Sequence, residues 1–130
     1  MSVTKTLESG KELVITPAPF ADAKEVYQAF VEQLAPVNVD EEKELDANLF
    51  KDLFVNVLTS KRFEDAVWAC MRRCKYGGHK ITESTFEDVS AREDYLEICY
   101  YVAWENIHPF LKTLMQKYSH ILGELNKALP

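Results

Sequence analysis

The residues best suited to chemistry in this chain are three cysteines and three histidines, among which Cys70, Cys74 and His79 lie closest together. On a helix, Cys70 and Cys74 would share one face, since residues four apart are neighbours there. A zinc site needs four ligands in a tetrahedral arrangement, usually supplied by two short-spaced pairs. Only one such pair is present, and Cys99 stands alone. We predict no metal site and interpret the paired cysteines as small apolar residues of a core.

Catalysis by a cysteine would also need a histidine placed beside the thiol. His108 precedes a proline and His120 falls on the polar face of a predicted helix, so the pattern places neither near a cysteine. The sequence contains no phosphate-binding loop, dinucleotide-binding glycine motif or hydrolase motif. The acidic run Asp40, Glu41 and Glu42 lacks the alternating ligands and central glycine of a calcium loop. We predict that the protein is not an enzyme and needs no cofactor.

The composition is that of one acidic globular domain. The chain has 130 residues, is 47% hydrophobic and carries a formal net charge of −6, and a domain of that length can bury most of its unfolded surface. Its basic residues are concentrated only at Lys61, Arg62, Arg72, Arg73 and Lys75. Proteins that bind nucleic acid usually carry many more cations to neutralise phosphates. We expect no nucleic-acid partner.

The sequence also favours a location in the cytoplasm. No apolar stretch is long enough to predict a membrane span. The first residues, Met1 to Lys5, carry one positive charge and are not followed by the apolar segment of a secretory signal. An odd number of cysteines agrees with reduced thiols. We expect no association with a membrane.

Helical periodicity predicts the elements that must position these residues. Apolar residues recur three and four positions apart in five segments, at about 22–36, 45–59, 60–74, 90–106 and 109–125. Residues 79–90 are predicted to form a loop. The sequence therefore predicts a mainly all-α fold, a single-domain bundle of about five helices.

The N-terminal part of the chain is patterned differently. Residues 1–10 are polar and are expected to be flexible, and residues 11–130 are expected to form one helical domain. Leu13 to Ile15 is compatible with a short strand, but the pattern predicts no partner strand. Pro17 and Pro19 then interrupt regular structure, because proline cannot donate a backbone hydrogen bond.

The fourth predicted helix is unusual because apolar residues point in nearly every direction from it. Ser90 and Glu93 have the spacing of a capping box at its start. The second predicted helix is also apolar over more than half its circumference, and tyrosine and tryptophan are well suited to anchoring interfaces. We therefore predict a partner-binding or self-association surface that includes Phe54, Leu58, Trp68, Tyr100, Tyr101 and Trp104.

The sequence resembles the tail assembly chaperones of long-tailed siphophages. The resemblance covers about residues 11–114 as short matches in order. They comprise Lys11-Glu12-Leu13-Val14-Ile15-Thr16-Pro17, Phe20 with Asp22-Ala23, Trp68, Cys70, Cys74 and Tyr76, Ala91-Arg92-Glu93-Asp94-Tyr95, and Asn106 with Pro109-Phe110.

The resemblance implies a morphogenesis factor that acts in the host cytoplasm and is absent from the mature virion. Members of this family bind the long tape measure protein and help recruit tail tube protein around it. Many occur as a short form and a longer frameshifted form, and a chain that ends at Pro130 fits the short form. We accordingly expect the tape measure protein, the tail tube protein, the longer form and further copies of the chain itself as partners. The family has no catalytic residues.

Three other functions are compatible with the sequence alone. One is a small cytosolic helical regulatory or protein-interaction module with a different partner. The second is a thiol-dependent enzyme that uses Cys70 or Cys74. The third is a structural subunit of the virion, which would be present in purified particles.

Overall fold

Four short strands form an antiparallel sheet at the N-terminal side of the molecule. The computed structural model describes residues 2–34, 54 and 56–128. The sheet has the order β1-β2-β3-β4. Its strands are β1 (Val3–Thr6), β2 (Glu12–Ile15), β3 (Lys75–Tyr76) and β4 (His79–Lys80).

The central strand β2 alternates between a buried and a solvent-facing side. Leu13 and Ile15 are buried, whereas Glu12 is exposed and Val14 is half-buried. Successive side chains of a strand point to opposite faces, so this alternation gives the sheet one core face and one outer face. In the register of the sheet, Leu13 lies opposite Tyr76, which is also buried.

The two glycines that follow β3 form the turn of a hairpin. Gly77 has φ 57° and Gly78 has φ 85°. Two consecutive positive φ angles are what a tight two-residue hairpin of type I′ requires, and glycine adopts them without a steric penalty. This turn returns the chain as β4, beside β3.

The described helices are α1 (Phe20–Leu34), α2 (Lys61–Met71) and α3 (Val89–Ala128), with a 3₁₀-helix at Glu83–Glu87. Ser60 caps helix α2, since its hydroxyl accepts a hydrogen bond from the Phe63 N–H at 3.3 Å.

The start of α3 differs from the predicted capping box at Ser90. The carboxylate of Asp88 accepts hydrogen bonds from the N–H and hydroxyl of Ser90, at 3.1 Å and 3.0 Å. Its carbonyl accepts from the N–H of Ala91 at 3.1 Å. These bonds lower the pKa of Asp88. Asp88 therefore caps the helix two residues earlier than the sequence predicts.

The two last predicted helices are one continuous helix of 40 residues with Pro109 inside it. A proline within a helix removes one backbone hydrogen bond and usually kinks or breaks the helix. In this chain the helix continues through Pro109. Among the described residues, no helix is both long enough and apolar enough to cross a membrane.

The expectation of an all-α bundle of five helices is wrong. Within the described ranges the chain has three α-helices and a four-stranded antiparallel sheet. Only β2 is anticipated, by the possible strand at Leu13 to Ile15, and the expectation that it has no partner strand is wrong. The other strands escape detection because they are only two to four residues long, which is too short for a clear alternating pattern. The predicted helix over 45–59 lies outside the described residues apart from 54 and 56–59.

The strand β1 lies within residues 1–10, for which the sequence predicts no regular structure, and β4 and the 3₁₀-helix lie within the predicted loop 79–90. The division of the chain into a flexible N-terminal segment and a single domain stays a prediction.

The core lies where the three helices meet the inner face of the sheet. Phe30 of α1 and Phe63 of α2 are fully buried, and their ring centroids are 6.1 Å apart. Phe54 packs edge-on against Phe63 at 5.8 Å. Helix α3 supplies a continuous buried side, consisting of Ala91, Ile98, Cys99, Val102, Ala103 and Ile107.

Two buried polar residues of α3 attach the N-terminal part of the chain to this helix. Asn106 is only 4% exposed. Its Oδ1 accepts a hydrogen bond from the Ala18 N–H at 3.0 Å, and its Nδ2 donates to the Val102 carbonyl at 2.8 Å. Asp94 is 5% exposed and accepts hydrogen bonds from the hydroxyls of Ser9 and Tyr76. Each buried polar group is thus paired.

We predict that Asn106→Ala lowers the free energy of unfolding by about 1–3 kcal/mol. The substitution leaves the N–H of Ala18 without its acceptor in a partly buried position. Urea unfolding followed by circular dichroism measures the change. Gln28→Ala, which truncates an exposed amide of α1, is the control and is expected to stay within about 0.5 kcal/mol of the parent. Equal midpoints for the two variants would contradict the anchoring role of Asn106.

Candidate partner-binding surface

The first turns of α3 expose two large apolar side chains. Val89 is 66% exposed and Leu96 is 61% exposed. Seven residues are about two helical turns, so the two side chains lie on the same side of α3, about 10 Å apart along its axis. We call Val89 and Leu96 the apolar strip. Further along this side, Ala103 and Ile107 are fully buried, so the rest of the molecule covers the side there and leaves it open at the strip.

An open aromatic cleft lies beside the apolar strip. Its volume is about 310 Å³, and it is lined by Trp68, Glu83, Phe86, Arg92 and Tyr95. The Phe86 ring stands edge-on to both other aromatic rings, with centroid distances of 5.6 Å to Trp68 and 4.9 Å to Tyr95. We call this feature the aromatic cleft. Residues from α2, the 3₁₀-helix and α3 meet in it.

Hydrogen bonds hold two of the aromatic side chains in place. The indole N–H of Trp68 donates to the hydroxyl of Tyr95 at 2.9 Å, and that hydroxyl donates to Glu64 at 2.9 Å. Burial is the largest cause that raises the pKa of Tyr95, and the neighbouring Cys99 and the bond to Glu64 raise it further. The phenol therefore stays protonated and keeps its donor. The cleft is prearranged, so a ligand would not have to order these rings.

Two arginines lie at the edge of the aromatic cleft. Arg92 donates through its Nε to the carbonyl of Phe86 at 2.7 Å, and its Nη2 lies 3.8 Å from Glu87. Arg72 lies over the Trp68 ring at 5.6 Å from its centroid and donates to Glu83 at 2.9 Å. Arg72 therefore already pairs with a carboxylate, whereas the distance from Arg92 to Glu87 exceeds a hydrogen bond.

The six residues predicted to bind partners all contact the core. Phe54 is buried, and the others are partly buried and pack against the core, namely Leu58, Trp68, Tyr100, Tyr101 and Trp104. The half-exposed state of the tyrosines and tryptophans is typical of anchors at interfaces, but it is also common in unpartnered domains. Their role in binding stays a prediction.

The structure divides these six residues among separate places. The Tyr100 ring packs edge-on against two rings, with centroid distances of 5.7 Å to Phe54 and 5.2 Å to Tyr101. Tyr100 follows Leu96 by one helical turn. Tyr101 also lies under the ammonium of Lys5, on the sheet side of α3. Leu58, which follows Phe54 by four residues in the sequence, also packs against the core.

Trp68 lies on α2, whereas Trp104 follows Tyr100 on α3 by one helical turn. Trp68 lines the aromatic cleft with Tyr95, whereas Trp104 stacks on His108, with their ring centroids 5.4 Å apart. Both tryptophans are partly buried and pack against the core.

Six residues of this surface are not among the predicted ones, namely Glu83, Phe86, Val89, Arg92, Tyr95 and Leu96. Phe86 and Val89 lie within the predicted loop, so no helical pattern points to them. Arg92 and Leu96 lie on the fourth predicted helix, but the predicted binding residues of that helix are Tyr100, Tyr101 and Trp104, in the more apolar segment that follows. The signal available in the sequence is the seven-residue spacing between Val89 and Leu96, which places both on one side of a helix. This signal can be used only if the start of α3 is predicted correctly.

The three cysteines are all buried and none forms a disulfide. Burial raises the pKa of Cys70 and Cys99 from the ordinary value of 9.0 to about 12, and that of Cys74 to about 11. At neutral pH the thiols therefore remain protonated, which is the form that neither attacks a substrate nor binds metal. Among the described residues, no group of three or more His, Cys, Asp or Glu side chains could hold a metal ion.

Comparisons with protein-family models, with curated proteins and with solved structures found no match for this chain. The resemblance to tail assembly chaperones therefore stays a prediction from the sequence.

Because the thiols are buried, we predict that the free energy of unfolding falls at alkaline pH. A group with a raised pKa in the folded state stabilises the fold fully below its unfolded pKa of 9.0, and this stabilisation is lost as the pH rises towards the folded pKa of about 12. Each such thiol contributes a slope of up to about 1.4 kcal/mol per pH unit in this window. Unfolding by urea at several pH values from 9 to 11 should show that the slope is smaller in Cys99→Ala than in the parent. Identical slopes in the two proteins would contradict a raised pKa of Cys99.

Proposed function

We propose that this protein is a tail assembly chaperone that binds a phage tape measure protein and helps recruit tail tube protein during tail morphogenesis. The observation that carries the proposal is the apolar strip of Val89 and Leu96, which lies exposed beside the aromatic cleft. The resemblance of the sequence to the family names the partner, and the surface supplies a physical means of binding it.

The exposed apolar strip supports a holding function on energetic grounds. Burying a valine or leucine side chain against a partner is worth about 1.5–3 kcal/mol. A tape measure protein is rich in long amphipathic helices, as the family resemblance implies, and such a helix binds a groove through anchors at i, i+3, i+4 and i+7. The strip and the aromatic cleft offer sites for anchors of this kind. A net charge of −6 favours solubility of the holding protein while its own apolar residues are exposed.

The proposal places the protein in the host cytoplasm and outside the mature virion. Its partners are the tape measure protein, the tail tube protein, the longer frameshifted form and further copies of the chain. A regulatory or protein-interaction module with another partner would use the same surface, and the identity of the captured polypeptide distinguishes the two.

A variant of the apolar strip tests the proposal directly. We expect the parent protein to copurify with the tape measure protein of its own phage after co-expression. The double variant Val89→Ser, Leu96→Ser should retain at least about tenfold less, since about 1.4 kcal/mol of lost apolar burial is a tenfold change in affinity. Circular dichroism checks that the variant folds.

Phe20→Ser is the matched control, because Phe20 is 70% exposed but lies at the start of α1. It should retain the tape measure protein as the parent does. Absence of the tape measure protein from the parent preparation would refute the proposed function, whereas equal retention by the double variant would refute only the role of the strip.

Thiol labelling separates the proposal from a thiol-dependent enzyme. We expect all three cysteines to react with a thiol reagent at pH 8 at least about 100-fold more slowly in the folded protein than in urea, because a pKa shift of two or more units depletes the thiolate to that extent. Mass spectrometry of the labelled protein identifies any reactive position. One cysteine that labels as rapidly in the folded protein as in the unfolded one would support the enzyme instead.

A further inference from the structure

We infer that the aromatic cleft and the apolar strip form a single site for an amphipathic helix that carries an acidic residue on one flank. In this arrangement a bulky apolar side chain of the partner enters the cleft, its carboxylate pairs with Arg92, and its next apolar residues cover Val89 and Leu96. The inference rests on the proposed function for the idea that the ligand is a polypeptide, and it adds the chemistry by which that polypeptide is selected.

The first support is the position of Arg92 between the two apolar features. With 3.6 residues per turn, successive side chains are about 100° apart around the helix axis. Viewed along α3, Arg92 lies about 60° from Tyr95 of the cleft and about 40° from Leu96 of the strip. A ligand that contacts both the cleft and the strip must therefore pass over the Arg92 side chain.

The second support is the state of the Arg92 guanidinium. Its Nε donates to the Phe86 carbonyl at 2.7 Å, which fixes the position of the group. Its Nη2 lies 3.8 Å from Glu87, beyond hydrogen-bond distance, and the side chain is 58% exposed. An arginine with two neighbouring donors matches a carboxylate in a bidentate pair. A partner carboxylate can thus approach without displacing a strong hydrogen bond.

The third support is the opposite charge on the other side of the strip. Glu93 is exposed and follows Arg92 on the helix, so it lies about 40° from Val89 on the side away from the cleft. The apolar strip is therefore flanked by a cation on the cleft side and by an anion on the far side. A bound helix with an acidic flank and a basic flank would be held in one orientation.

A cationic anchor is a poor occupant of the cleft, although aromatic rings attract cations. The guanidinium of Arg72 already lies over the Trp68 ring at 5.6 Å and pairs with Glu83, the carboxylate that lines the cleft. Arg92 also lines the cleft. A third cation would meet both. An uncharged aromatic or leucine side chain has no such penalty and contacts Phe86 and Tyr95 as well.

Two synthetic peptides of about 18 residues, long enough to form amphipathic helices, test the inference. Both carry leucine and tryptophan at helical anchor spacing, and they differ only in having glutamate or lysine on one flank. In fluorescence anisotropy at low salt, the acidic peptide should bind the parent about fivefold more tightly than the basic one. The preference should shrink as salt is added.

Charge reversal at Arg92 gives the decisive comparison. Arg92→Glu should reverse the preference between the peptides, and Arg92→Gln should remove it. Lys61→Glu is the control, because Lys61 is an exposed cation at the N-terminal end of α2, about two helical turns before Trp68 of the cleft. This variant should keep the preference of the parent for the acidic peptide. Circular dichroism and urea midpoints check that each variant is folded.

Equal binding of the two peptides to the parent, or an unchanged preference in Arg92→Glu, would overturn the inference. It would leave the proposed function in place if the tape measure protein still copurifies with the parent. Binding of neither peptide would also overturn the inference, and copurification again decides separately whether the proposed function stands.

Discussion

The buried carboxylate of Asp94 is the constraint on which the arrangement of this protein depends. A buried charge is costly unless hydrogen bonds compensate for the lost water. Here the hydroxyl of Ser9 comes from the turn after β1 and that of Tyr76 comes from β3, so both hairpins must be in place to satisfy one residue of α3. Burial, followed by the bond to Asp94, raises the pKa of Tyr76, which keeps its phenol protonated as the donor. The sheet is thereby locked to the helix.

This attachment also determines which side of α3 is left open. Asp94 and Leu96 are two residues apart, so they point about 200° from each other around the helix axis. The sheet occupies the side of Asp94, and the apolar strip therefore faces away from it. The cleft beside the strip is built on α2, whose Glu64 and Trp68 both bond to the Tyr95 hydroxyl. A ligand there meets groups that are already held by the sheet and by α2, so little of its binding energy is spent on ordering them.

The sequence predicts the elements in which a periodic apolar pattern runs over many residues. It misses the elements that depend on only a few residues. The helices α1 and α2 and the cap at Ser60 follow from apolar spacing and capping chemistry. Apart from β2, the strands are missed because a pairing of two residues, such as Lys75–Tyr76 with His79–Lys80, leaves no periodic signal. The continuation of α3 through Pro109 is missed because the sequence does not show how much packing supports the helix on either side.

The same limit explains why Val89 and Leu96 are not among the residues that the sequence predicts for a partner surface. Composition draws attention to Tyr100, Tyr101 and Trp104, yet all three pack against the core. Val89 and Leu96 are isolated in the sequence and become a surface feature only when Asp88 starts the helix and the sheet turns the opposite side inward. A helix in a folded domain exposes an apolar residue where tertiary packing ends, and that boundary is a property of the assembled elements. The exposed apolar strip therefore lies beside the most hydrophobic segment of the helix and not within it.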